Sequence, residues 1–173
     1  NYDTALIHGL TTNNVDVLFY ASHAVDKRIG PQFEYEFTDG NVYYNDADKQ
    51  IKVKFKDGRE KLYGNPELDS RRKLWVMIDA ILNGTEIPCG IEASLTQTIC
   101  INAAQESCRE IKEFPSDLVV FDPSTEVKYV PRLSDLLLDC YHNSRVLNSE
   151  DASWVVQGEK IDVTNYIHFP RNI

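Results

Sequence analysis

The stretch "QFEYEFTDGNVYYNDADKQIKVKFKDGREKLYG", residues 32–64, alternates apolar and polar side chains around two Asp-Gly pairs, Asp39-Gly40 and Asp57-Gly58. Alternation with a period of two places the apolar side chains on one face of a sheet and the charged ones on the other. Asp-Gly between two such runs is a strong hairpin signal, because glycine adopts the positive φ angles of a tight turn at little cost. The stretch therefore predicts a meander of antiparallel strands.

The polar faces of the two hairpins carry opposite charges. The first hairpin presents glutamates and the second presents lysines: Glu34, Glu36, Lys52, Lys54 and Lys56. If these faces are neighbours, opposite charges on adjacent strands would pair and help to fix the register.

Two further strands precede the meander, over Thr4–Leu10 and Val15–Ser22, joined by a polar turn over Thr11–Asn14. The second of them, within "VDVLFYAS", is apolar at almost every position. Such a run is typical of a strand that is covered on both faces.

Two helices are predicted after the meander, over residues 66–83 and about 91–110. Asn65 is placed to cap the first one, Pro66 suits its first position, and Gly84 supplies its end. Apolar residues recur at helical spacing and define a predicted core stripe, with Trp75 on or beside it: Leu74, Met77, Ile78, Ile81 and Leu82.

The last third of the chain has weaker patterns. Leu118–Phe121 and Glu126–Val130 are predicted to be extended, Leu133–Tyr141 helical, and a strand pair is predicted around Gly158. We expect an α+β fold: one domain over residues 1–173, with a large, mainly antiparallel open sheet and two to three helices packed on one face.

Composition excludes several classes of protein. The 173 residues include 27 acidic and 18 basic side chains, a net charge of −9, which argues against a nucleic-acid partner. No apolar run reaches the roughly 20 residues that a membrane-spanning helix needs. The sequence has four widely spaced cysteines without a C-x-x-C pair: Cys89, Cys100, Cys108 and Cys140. Cys100 and Cys108 lie in apolar helical surroundings, so we expect small buried thiols, with one disulfide as the alternative.

The chain starts with Asn1 and enters a strand-like segment at once. We expect it to be cut from a longer protein. A cytoplasmic location is expected, with export to the periplasm or beyond as the alternative, because targeting signals would have been lost with the missing part.

No catalytic or metal-binding motif is present in the sequence. The loop "SHAVDKR" gathers several reactive side chains after an apolar strand, and His23 and Arg28 are its candidate ligand-binding residues. The alternative is an ordinary solvated connection. The other histidines and three scattered aspartates are expected to have structural, capping or surface roles: His8, His142, His168, Asp122, Asp135 and Asp139.

Residues 3–113 resemble the C-terminal half of oxidoreductases of the Gfo/Idh/MocA family, relatives of glucose–fructose oxidoreductase and inositol 2-dehydrogenase. The likeness rests on "DTALIHGL", on the "FEYEFTDG" hairpin, on "NGTEIPCGIEA" and on "AAQES". Residues 114–173 fit the family poorly, and we expect them to be a subfamily extension that folds back on the sheet.

The resemblance implies the substrate-binding and oligomerisation half of an NAD(P)-dependent oxidoreductase that acts on a sugar, a polyol or a derivative. NAD or NADP would bind to a Rossmann domain upstream of residue 1, and no cofactor is expected in residues 1–173. The family's catalytic residues would also precede residue 1, so none is carried over. His23 and Arg28 would touch the substrate, and the open sheet face would form a homo-oligomer. The alternative is a non-enzymatic sheet module that binds carbohydrate or a protein.

Overall fold

The computed structural model describes residues 2–170, so residue 1 and residues 171–173 of the predicted domain lie outside it. The described elements are β1 (Thr4–Leu10), β2 (Asp16–Ser22), β3 (Gln32–Phe37), β4 (Gly40–Asn45), β5 (Gln50–Phe55), β6 (Glu60–Gly64), α1 (Arg72–Asn83), α2 (Ile91–Ser107), β7 (Val120–Asp122), β8 (Val127–Tyr129) and α3 (Leu133–His142).

These elements are divided between two compact units. The first unit comprises the described residues up to Lys27 and from Ile91 onward, and the second comprises Arg28–Gly90. Neither boundary falls at residue 113, and the division of the sequence at that position stays a prediction.

The first unit contains two antiparallel hairpins, β1–β2 and β7–β8, together with α2 and α3. Helix α3 packs against β2. Two of its side chains, Leu133 and Cys140, are almost fully buried, and Val130 and Leu147 on either side of the helix are buried as well. The core of this unit therefore lies around α3.

The second unit contains the predicted meander as a four-stranded antiparallel sheet in the order β3-β4-β5-β6. Phe33 pairs with Tyr44, and Tyr44 pairs with Ile51, so these three side chains share a face. The ring of Phe33 stacks on Tyr35 at 4.7 Å and on Tyr44 at 5.5 Å. The alternation in the sequence thus sets an aromatic face against a polar one.

The α+β class, the antiparallel open sheets and the three helices are confirmed. The eight strands do not form one large sheet, however. They are divided into one four-stranded and two two-stranded sheets. Alternation shows that a segment is a half-buried strand, but it does not identify the strand that pairs with it.

The two glycines of the predicted turns have different roles. Gly58 has φ +86° in the β5–β6 turn, as the Asp-Gly signal predicts. In the first hairpin, Phe37 pairs directly with Gly40, so Thr38 and Asp39 make the turn. Gly40 is required instead by close approach, because a Cβ there would collide with the carbonyl oxygen of Lys54.

Helix α1 begins later than predicted and is more exposed. Asn65 does not cap it: its side chain accepts from the Glu67 amide at 2.8 Å in a turn, and the helix begins only at Arg72. Gly84, with φ 67°, ends it as predicted. The expectation of a buried stripe is wrong, because no residue of α1 is buried and Trp75 is 59% exposed.

The predicted strand pair around Gly158 is absent from the described residues. Glu159 instead bonds to the end of α2: its amide donates to the Ser107 carbonyl at 2.8 Å, and its carbonyl accepts from the Ser107 hydroxyl at 2.6 Å. Tyr166 reaches the same helix, since its hydroxyl donates to Glu106 at 2.8 Å. The C-terminal segment therefore folds back on α2.

Two further expectations are corrected. The glutamates of β3 and the lysines of β5 do not face each other, because β4 lies between them. Lys54 instead pairs with Glu60 across β5 and β6. All four cysteines are free thiols, but only Cys140 is buried, and Cys89 and Cys100 are exposed.

Candidate functional site

Polar and charged side chains of the loop after β2 bond to helix α3. Ser134, which is buried, donates its hydroxyl to Asp26 at 2.7 Å. This hydrogen bond lowers the pKa of the Asp26 carboxyl. Lys27 forms an ion pair with Asp135 at 2.9 Å, which raises the pKa of Lys27. Asp26 and Lys27 therefore anchor the loop.

Backbone bonds and Ser22 hold the same loop at its other end. The Ser22 hydroxyl lies 2.7 Å from the Thr4 hydroxyl and accepts from the Ala24 amide at 3.1 Å. The Ala24 carbonyl accepts from the Val130 amide at 2.9 Å, next to the start of α3. Hydrogen bonds thus connect residues 22–27 to β1 at one end and to α3 and the residue Val130 at the other.

His23 and Arg28 are the loop residues that remain available to a ligand. The backbone amide of His23 donates to Asp3 at 2.8 Å, which positions the residue. Both side chains are exposed, and neither bonds to another side chain in the described chain. His23 belongs to the first unit, and Arg28 is the first residue of the second. Their role in binding stays a prediction.

A second polar cluster, at the end of α3, is structural. Arg145 Nη1 donates to both oxygens of Asp151 at 2.9 Å, and Nη2 donates to Asp139 at 2.6 Å. These bonds raise the pKa of Arg145 and lower that of Asp151. The Tyr20 hydroxyl donates to the carbonyls of Cys140 and Arg145 at 3.2 and 3.0 Å. The cluster ties the chain after α3 to the helix and to β2.

The remaining candidates have separate partners. Asp122 accepts hydrogen bonds from Ser124 and Thr125 in the β7–β8 turn, and His8 bonds to Asp16 at 2.7 Å across the first hairpin. Within residues 2–170, no group of three or more His, Cys, Asp or Glu side chains is arranged to hold a metal ion. No helix in that range is long and apolar enough to cross a membrane.

A shallow concavity of about 230 Å³ lies on the aromatic face of the four-stranded sheet, at the end where the turns are. Its lining contains three aromatic rings and one carboxylate among smaller residues: Phe37, Asp39, Gly40, Val42, Val53, Phe55 and Tyr63. Phe37 and Tyr63 are 60% and 59% exposed. The apolar face of the sheet is therefore open to solvent at this end.

Two cations of the chain lie over rings of this face. The Lys61 ammonium is 4.4 Å from the centroid of Tyr63, and the Arg59 guanidinium is 4.8 Å from that of Phe55. Sequence reasoning missed the concavity. The only signal for it in the sequence is the row of aromatic residues at alternate positions before and after the turns.

Searches against models of protein families, against curated proteins and against solved structures found no match to this chain. The family resemblance therefore rests on the sequence motifs quoted above.

Proposed function

We propose that this chain is the substrate-binding and assembly half of an NAD(P)-dependent oxidoreductase of the Gfo/Idh/MocA type that acts on a sugar or a polyol. The resemblance over residues 3–113 carries the proposal. The α+β class and the open antiparallel strands agree with the resemblance, whereas the single large sheet that it implies is divided into three smaller ones in the described residues.

The redox step would belong to the nicotinamide cofactor, which accepts or donates the hydride. By the resemblance, NAD or NADP would bind to a Rossmann domain upstream of residue 1. The role of the described chain would be to position the substrate.

His23 and Arg28 would do this from the anchored loop. Arg28 offers a planar fork of N–H donors that fits a carboxylate or neighbouring hydroxyls, and His23 adds one donor or acceptor. The anchors at Asp26 and Lys27 support this role, because binding residues need a rigid base to keep their geometry.

The outer face of the β1–β2 hairpin is the proposed assembly surface. Tyr20 and Leu18 alternate with Val17 and Phe19, and Tyr20 faces α3. Val17 and Phe19 are 50% and 55% exposed, so apolar surface remains open on the other side. A two-fold dimer would cover the same patch on both subunits and should bury more than about 1,000 Å².

The enzyme proposal is tested by the coding sequence upstream of Asn1 and by calorimetry. A strand followed by G-x-G-x-x-G and a helix upstream is the expected result. Residues 1–173 alone should bind neither NAD nor NADP. Micromolar binding of either dinucleotide to this chain would contradict the proposal that the cofactor binds to a separate upstream domain.

A non-enzymatic module that binds carbohydrate is the second candidate, and the exposed aromatic rings of the sheet favour it. Its expected signature is a signal peptide that ends directly at Asn1, with no dinucleotide-binding domain before it. The upstream sequence therefore separates the two candidates.

A further inference from the structure

We propose that helix α1 is a self-association surface, on which α1 of a second copy of this chain packs antiparallel about a two-fold axis at Ile78. The surface lies wholly within the second unit. It is separate from the β1–β2 hairpin surface, which belongs to the first unit, and it does not depend on the oxidoreductase proposal.

Helix α1 carries an exposed apolar stripe. Its five large side chains recur at helical spacing: Leu74, Trp75, Ile78, Ile81 and Leu82. Ile78 is partly exposed, the other four are between 53% and 76% exposed, and no residue of the helix is buried. Contiguous apolar surface that faces water is typical of an interaction site.

The stripe is symmetric about Ile78. Leu74 and Leu82 lie four residues before and after it, and Trp75 and Ile81 lie three residues before and after it. In an antiparallel pair with its axis at Ile78, Leu74 of each copy meets Leu82 of the other, and Trp75 meets Ile81. A two-fold interface needs this self-complementarity, because the same patch serves both subunits. The spacing therefore favours a second copy over an unrelated protein.

The charges of α1 favour the antiparallel direction. Arg71, Arg72 and Lys73 lie at its N-terminus, where no acidic side chain and no side-chain cap offsets the positive end of the helix dipole. None of these cations forms an ion pair within residues 2–170. An antiparallel partner brings the negative end of its own helix, followed by Glu86, towards them. A parallel partner would bring two positive clusters together.

An anionic membrane fits α1 less well than a second copy does. Helices that lie on such membranes carry cations along their polar face. Beyond its first turn α1 has no cation, and its polar face carries Asp79 and Asn83. The chain as a whole has a net charge of −9, which opposes an anionic surface.

Sedimentation equilibrium on residues 1–173 tests the proposal in a Phe19→Glu background, which removes the hairpin surface. A helix of 12 residues is about 18 Å long, so one helix pair is a small interface. We therefore expect a monomer of 19.8 kDa that dimerises with a dissociation constant of about 0.1–1 mM.

Two variants of the stripe should lose the dimer. Ile78→Glu places two carboxylates at the two-fold axis. Leu82→Glu should have the same effect, and because Leu82 is 74% exposed its replacement leaves the fold intact. Val76→Glu is the matched control, since Val76 lies two residues from both Leu74 and Ile78 and therefore on the other side of the helix. It should dimerise like the background chain.

Arg71→Gln tests the direction of the pair. It should weaken the dimer by about threefold, because it removes a cation from the negative end of the partner helix. In a parallel pair the same change would strengthen the dimer, because it separates two like charges.

The proposal is overturned if the background chain stays monomeric at about 1 mM, the upper end of the expected range. It is also overturned if Val76→Glu loses the dimer as Ile78→Glu and Leu82→Glu do, or if Arg71→Gln strengthens it. A chain that stays monomeric but binds vesicles of phosphatidylserine and phosphatidylcholine, with a blue shift of the Trp75 emission, would assign the stripe to a membrane instead.

Discussion

Leu133→Ala should destabilise the first unit, because this side chain is only 1% exposed at the start of α3. Truncating a fully buried leucine removes its transfer free energy and leaves a cavity, so we expect a loss of about 2–4 kcal/mol in the free energy of unfolding. For a chain of this size the melting temperature should fall by about 5–15 °C. Loss of α3 should also release the loop that carries His23, since Ser134 and Asp135 of this helix bond to that loop.

Denaturant unfolding followed by tryptophan fluorescence measures this loss. The chain has two tryptophans, and a Trp75→Phe background leaves Trp154 as the probe. Trp154 lies in the first unit and packs edge-on against Phe114 at 4.8 Å, so its emission reports on that unit.

Leu95→Ala is the control, because it makes the same change on α2 of the same unit at a side chain that is 54% exposed. It should cost about 1 kcal/mol at most. Equal losses for the two variants would refute the assignment of the core to α3.

Three further outcomes are expected. Ser134→Ala should raise the pKa of Asp26 in a carboxyl NMR titration, because the hydrogen bond that lowers this pKa is lost. The stabilisation from this bond is present above the pKa that Asp26 has in the unfolded chain. It is lost as the pH falls through the lower pKa of the folded chain. An unchanged titration would exclude the bond. His23→Ala in the oxidoreductase proposed above should raise KM or lower kcat at an unchanged melting temperature, whereas normal kinetics with a large stability loss would make His23 structural. Phe19→Glu should convert a dimer to a monomer of 19.8 kDa in light scattering, and a wild-type chain that is already monomeric at tens of micromolar would contradict the assembly surface.

The local parts of the fold were predictable from the sequence. The strands of the meander and the end of α1 at Gly84 follow from alternation and from turn chemistry, which act over a few residues. The start of α1 was missed because Asn65 and Asp69 accept hydrogen bonds from the amides two residues on. Such side-chain bonds offer the backbone an alternative to the helix.

The features that depend on distant residues were not predictable. Gly158 lies in an irregular segment because Glu159 bonds to Ser107, some fifty residues earlier. The division into three sheets depends on which strands meet, and alternation carries no such information. The candidate sites divide in the same way: the sequence identified His23 and Arg28 by residue type and loop position, but the concavity arises from the pairing of Gly40 with its neighbours.

Sugar-dependent reduction of NAD or NADP by the product of the complete coding sequence tests the central claim most directly. We predict an increase in nicotinamide absorbance with at least one sugar or polyol, and a lower kcat/KM after His23→Ala with the cofactor affinity unchanged. A complete protein that binds neither NAD nor NADP would contradict the claim.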